Sequence, residues 1–181
     1  ITPAEYLVQI NNYLDKIPSQ NKAYNCHVTL KEEPDKRYSC QGAKSLTDGK
    51  IGLLNYFSDW LGFYGQALDA TIDLGQKTEV NEVMMDFYKF PLSWIFVPET
   101  VEVFVSKDGK HWKHIGQQHA QPTGTDMVAL AKPNMQHFSF KADGKPARYV
   151  RVVATPLAEI PQWHRAAGKP CWTFCDEIVI K

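Results

Sequence analysis

From residue 23 onward the sequence is a succession of short β-branched runs broken by Asp-Gly and Gly turns, with no helical period between them. Val101, Val103 and Val105 alternate with Glu102 and Phe104, and Lys107-Asp108-Gly109-Lys110 follows before residues 111–115. Asp-Gly tolerates the positive φ that a two-residue hairpin demands, so this stretch predicts a hairpin. Residues 135–140, Asp143-Gly144 and residues 148–154 repeat the pattern. Further strands are expected at 25–30, 70–74, 79–88 and 172–180, and loops at 31–44, 91–98 and 157–170. Residues 51–64 read as irregular and aromatic. About eight short strands without interleaved helices indicate an antiparallel β-sandwich rather than a parallel α/β sheet.

The N-terminal 20 residues are the exception. Thr2-Pro3-Ala4-Glu5 reads as a capping box with Pro at the first helical position. Tyr6, Leu7, Ile10, Leu14 and Ile17 then recur at helical spacing, and Pro18 ends the run. One amphipathic helix cannot bury its stripe alone. Residues 1–22 are therefore expected to be a linker helix from an upstream domain, and 23–181 the β-sandwich.

Twenty basic and twenty acidic residues cancel. That balance argues against nucleic acid or an anionic membrane as partner, since both require a concentrated positive face. No apolar run approaches the roughly 18 residues of a membrane span. The sequence starts at Ile1 with no leader pattern, so any targeting signal is expected outside it. Cys26, Cys40, Cys171 and Cys175 allow two disulfides in three pairings or four free thiols.

Six pieces fall in a recognisable order: Leu46-Thr47-Asp48-Gly49, Trp60, Ile72-Asp73-Leu74-Gly75, the run Val101 to Trp112, Ala147-Arg148-Tyr149-Val150-Arg151-Val152, and Asp176-Glu177-Ile178. Together they resemble the discoidin, or coagulation factor 5/8 type C, domain, which includes the family 32 carbohydrate-binding modules. Asn55-Tyr56, Trp60-Leu61-Gly62-Phe63, Phe96-Val97-Pro98 and Trp172-Thr173-Phe174 sharpen the likeness to modules that follow the catalytic domain of bacterial β-hexosaminidases (chitobiases). The resemblance implies a galactose-binding-like jelly-roll β-sandwich, all-β apart from the short N-terminal helix. It also implies a structural Ca2+, ligand recognition by loops at one end, and a parent glycoside hydrolase in the periplasm, on the cell surface or secreted.

The resemblance places the Asp48 and Glu177 carboxylates on that calcium, with carbonyls from Ser45, Lys50, Leu53 and Asp176. Such a set suits a hard cation that takes six to eight oxygens. Side chains of adjacent strand residues point to opposite faces, so Glu177 can give its carboxylate while Asp176 gives only its carbonyl. Leu53 departs from the family pattern, where Thr or Ser adds a hydroxyl.

Flat rings stack on the apolar faces of sugars, and polar neighbours orient the hydroxyls. Trp60, Tyr64, Trp94, Trp163 and Trp172 fall in loops or at strand ends, with His164 and Arg165 beside Trp163. They are the candidate glycan contacts, for galactose or an N-acetylhexosamine. Trp60 and Trp172 equally suit core plugs, whereas Trp94 and Trp163 lie near prolines in long loops.

His111 and His114 would face opposite sides of a strand, so no zinc is expected there. No acid pair stands in a pocket-like setting, as glycoside hydrolysis requires. The expectation is thus a non-catalytic carbohydrate-binding module that tethers its enzyme to glycan. The alternative is a structural spacer docked on the catalytic domain.

Overall fold

In the computed structural model, which describes residues 2–181, two long strands carry the architecture. β3 (Leu68–Lys89) and β6 (Asn134–Thr155) each run 22 residues and pair antiparallel along their length. The register breaks between Asp73/Thr78 and between Val80/Glu82. The expectation of separate short strands, with a turn at Asp143-Gly144, is corrected here. The left-handed residues Gly75, Asp143 and Gly144 sit inside the strands and serve irregularities, not chain reversals. A bulge bends and twists its strand, so one strand can contribute to two layers.

The N-terminal half of β3 pairs with β1 (His27–Leu30) and with the C-terminal half of β6. That half of β6 pairs with β4 (Thr100–Ser106), which pairs in turn with β5 (Lys113–His119). The C-terminal half of β3 pairs with the start of β6 and with β7 (Trp172–Ile180). β7 carries β2 (Leu61–Tyr64) on its other edge. β2 corrects the reading of residues 51–64 as wholly irregular: its last four residues are a ladder against β7.

The two layers share one core. Val101, Val103 and Val105 of β4 and Val150 and Val152 of β6 belong to the same buried cluster as Val83, Met85 and Phe87 of β3 and Ile178 and Ile180 of β7. Each set recurs at every second residue, as a half-buried strand requires. A separate one-turn helix, α2 (Met127–Leu130), interrupts the β5–β6 connection, capped by Asp126.

α1 (Pro3–Asp15) forms as its capping box predicts. Thr2 Oγ1 accepts from Glu5 N at 3.2 Å, and Thr2 N donates to Glu5 Oε2 at 2.7 Å. Its apolar stripe is not covered: no α1 residue is buried, and Tyr6, Leu7 and Leu14 are all more than half exposed. The anchoring lies just beyond it. The Asn21 amide donates to Ile178 O and accepts from Ala23 N and Ile180 N, and Lys22 N donates to Ile180 O. All four cysteines are free thiols. No helix among the described residues is long and apolar enough to cross a membrane.

Candidate functional site

The bend that opens the sandwich and its last strand meet. Residues Gly42–Leu46 form a 3-10 turn. Asn25 N donates to Thr47 O and the Thr47 hydroxyl donates to Cys26 O, which fixes the bend beside β1. Gly49 adopts φ +78°, and a Cβ there would lie 3.0 Å from Pro18 and 3.2 Å from the Tyr24 ring, so only glycine fits easily. Its N–H donates to Glu177 Oε1 at 3.0 Å, and Gly52 N donates to Asp176 Oδ2 at 3.0 Å.

A bulge in the last ladder makes this possible. Met85 pairs with Ile178 and Phe87 with Cys175, so the single residue Asp86 faces both Asp176 and Glu177. Bulges re-aim side chains. Asp176 turns onto Lys16, the residue capping α1, whose ammonium is 2.7 Å from Asp176 and 2.6 Å from Asp86. His137 Nδ1 completes the group at 2.9 Å from Asp86. Burial opposes the charge on Lys16, but the two carboxylates outweigh it and hold the ammonium protonated. Burial likewise opposes ionisation of Asp86, yet His137 and Lys16 keep its carboxyl below the usual range.

Glu177 has no such counter-ion. It is fully buried against Asp48, and its Oε2 has no hydrogen-bond partner. Burial, then the neighbouring Asp48 carboxyl, push its pKa up to about 10. Two carboxyls in contact with an orphaned buried oxygen constitute a donor set short of a positive charge, which a cation would supply. The two carboxyls therefore fit a hard cation. Among the described residues, no group of three or more His, Cys, Asp or Glu side chains is arranged to hold a metal ion by itself. Of the carbonyls expected as ligands, that of Leu53 is engaged otherwise, accepting the Trp60 indole N–H at 2.7 Å. His111 and His114 lie apart in function, paired with Asp108 and Glu102 respectively.

The expected sugar-contacting residues separate into three groups. Trp60 is 1 % exposed and is a core plug, so its reading as a ligand contact is corrected. The ring closes on Gly52, where a Cβ would come within 2.3 Å of it. His164 is also corrected: it is buried, its Nε2–H donates to Pro91 O at 2.9 Å and its Nδ1 accepts from Ala166 N at 2.9 Å. It ties the 157–171 loop to the 90–98 loop and has no nitrogen left for a ligand. Trp94 is half-buried against Phe96, Ile160 and Cys171. Trp163 is 36 % exposed, and Arg165 is exposed.

Trp172 and Tyr64 belong to a larger aromatic rim. Their rings lie 4.9 Å apart at the paired ends of β7 and β2. Tyr38 stands edge-on to Trp172 at 5.1 Å and to Phe174 at 5.0 Å. Arg37 lies over the Trp172 ring at 5.0 Å, its guanidinium oriented by Asp35 at 3.0 and 3.1 Å. Tyr56 and Phe57 stack at 4.3 Å, and Phe57 is 71 % exposed. Asn55 projects Phe57 outward, its Oδ1 accepting from Phe57 N at 3.1 Å. Trp172 N donates to Trp94 O and Phe96 N to Trp172 O, so both aromatic groups flank the start of β7 at one end of the sandwich.

Arg37, Tyr38, Tyr56 and Phe57 were not among the expected contacts. The available signal was the Tyr56-Phe57 doublet inside an irregular polar segment, with Arg37-Tyr38 in a second one.

Residues 30–173 match the model of the F5/8 type C domain. No curated protein matches the chain in sequence. Among solved structures, the Clostridium perfringens module CpGH89CBM32-6 aligns with a TM-score of 0.55 at 17% identity, over 89% of this chain and 98% of that one. CpGH89CBM32-4 of the same organism, in complex with GlcNAc-α-1,4-galactose, gives 0.54 at 17% identity over 89% and 93%. A Ruminococcus gnavus GH29 fucosidase in complex with fucose gives 0.58 at 12% identity, over 97% of this chain and 29% of that chain.

Proposed function

The chain belongs to the F5/8 type C domain family, and from that premise we propose that it is a non-catalytic glycan-binding module. The observation that carries this reading is the aromatic rim: Phe57 exposed, Tyr38, Tyr64 and Trp172 half-buried beside it, and Arg37 oriented by Asp35. Rings supply a platform for the C–H face of a pyranose, and the guanidinium and tyrosine hydroxyls offer hydrogen bonds to its hydroxyls. Trp94, Trp163 and Arg165 extend the same end. Galactose and N-acetylhexosamines are the proposed ligand class. The structural neighbour solved with GlcNAc-α-1,4-galactose supports that class.

Ca2+ is the proposed resident cation, held by the Asp48 and Glu177 carboxylates with carbonyls of Ser45, Lys50 and Asp176. Its role is to neutralise the buried carboxyl pair and lock the opening bend to β7. The bend continues directly into residues 53–59, which carry Tyr56 and Phe57, so the clasp steadies the rim.

The module is further proposed to be an accessory domain of a bacterial glycoside hydrolase acting outside the cytoplasm, of β-hexosaminidase type. It would tether that enzyme to glycan and raise its local concentration there. The fucosidase of which this fold matches 29% supports such an arrangement. Titration with galactose, N-acetylglucosamine and N-acetylgalactosamine, followed by amide chemical shifts, tests the binding. Saturable shifts confined to the rim are expected; silence across a broad glycan panel rejects the reading.

One observation favours the spacer alternative: α1 presents an uncovered apolar stripe while Lys16 pins its end into the sandwich. A spacer predicts that Trp172→Ala and Arg37→Ala leave glycan retention unchanged.

A further inference from the structure

We propose that a hollow beside Trp112, remote from the aromatic rim, is a second site that binds an anionic saccharide. The hollow encloses about 470 Å³ and is lined by Trp112, Pro146, Lys107, Lys113, Lys145 and His111. It lies where the β4–β5 hairpin meets the irregularity of β6, with Lys145 and Pro146 paired to Val80 and Glu79 of β3. The rim lies at the far end of β3, beside Tyr88. The proposal does not depend on glycan binding at the rim.

The hairpin holding the site is fixed. Ser106 Oγ accepts from Gly109 N at 2.9 Å, and Asp108 Oδ1 accepts from Lys110 N and His111 N, both at 2.8 Å. Gly109, at φ +76°, packs on the Tyr149 ring. The one acid in the lining, Asp108, is thereby committed to backbone and, at 2.7 Å, to His111 Nδ1. It forms no ion pair with the lysines. Among the described residues, the lysines in ion pairs are Lys16, Lys141 and Lys181, and none of the three around the hollow.

Three lysines outside any ion pair, of which Lys145 donates to Ala142 O at 3.4 Å, surround one half-buried indole and select their ligand by two properties. The lysine stems and Trp112 present apolar surface while the charged heads stay in water. A flat, C–H-rich ring fits the first, and a carboxylate or sulfate on that ring fits the second. The volume suits a small ligand. The chain's zero net charge provides no extended basic stripe for a polynucleotide. A uronate and a sulfated sugar share the required chemistry.

The test is a titration of the folded chain, read on the indole N–H resonance of Trp112, assigned by its absence in Trp112→Phe. The probes are digalacturonate, a sulfated chondroitin disaccharide, lactose and a short oligothymidylate. The expected result is a saturable Trp112 shift with one or both acidic sugars and none with lactose. It should weaken about tenfold in Lys107→Glu/Lys145→Glu, a loss matching two exposed charge reversals. Trp172→Ala should leave it intact, which separates this site from the rim. Circular dichroism of each variant controls for folding. A Trp112 resonance unmoved by both acidic sugars, a shift insensitive to the lysine reversals, or a response to oligothymidylate alone overturns the proposal.

Discussion

Removing the proposed Ca2+ should make stability depend on pH, and Glu177→Gln should abolish the part of that dependence that Glu177 carries. In the unfolded chain Glu177 ionises near its ordinary 4.5; in the metal-free fold its pKa is pushed up to about 10. The folded state therefore keeps a proton that the unfolded state releases. Its advantage is complete below pH 4.5 and is lost steadily as pH climbs toward 10. At pH 7, about 2.5 pH units above 4.5, the loss is at most about 3.5 kcal/mol at about 1.4 kcal/mol per unit. For a chain of this length that is about 7–14 °C in Tm. A cation between Asp48 and Glu177 stabilises both ionised carboxylates and cancels the loss. Thermal melts between pH 5 and pH 8, in chelator and in calcium, measure it. The wild-type chain should fall with rising pH in chelator and hold level in calcium. Glu177→Gln keeps the acceptor for Gly49 N, so it should melt higher than wild type in chelator at pH 7.5 and ignore calcium. A flat wild-type profile in chelator, with no response to calcium, refutes the reasoning.

Lys16→Met should cost about 3–5 kcal/mol in urea unfolding, because it leaves Asp86 and Asp176 buried without their cation; a loss under 1 kcal/mol would contradict the network. Gly52→Ala should cost more than about 2 kcal/mol by the same assay, since the new methyl meets the Trp60 ring at 2.3 Å. Native thiol titration should find Cys40 reacting first, because it is exposed. Cys171, whose pKa burial pushes up to about 11, and the fully buried Cys175 should react only on denaturation.

The alternating valines of β4, the β-branched end of β6 and the capping box of α1 were all legible, because local periodicity and capping chemistry alone determine them. The lengths of β3 and β6 were not. Asp143-Gly144 carries the same positive-φ chemistry whether the chain reverses or bulges, and only the partner strand decides which. The pairing of the 45–50 bend with Glu177 was expected from the family order. The Lys16–Asp86–Asp176–His137 group was not, since it depends on a bulge that sets one residue against two. Trp60 and His164 show the limit for ring side chains: composition marks them as possible ligand contacts, while burial and hydrogen bonding assign them to structure. The rim around Phe57 escaped notice because its residues come from two irregular segments that only the folded chain brings together.

Glycan binding at the rim is tested most directly by the electron density of a galactose- or N-acetylhexosamine-containing oligosaccharide co-crystallised with the chain in calcium. A pyranose ring is expected against Phe57, Tyr38 and Trp172, within hydrogen-bonding reach of Arg37. Sugar density elsewhere on the sandwich with the rim left bare, or none at saturating ligand, would contradict it.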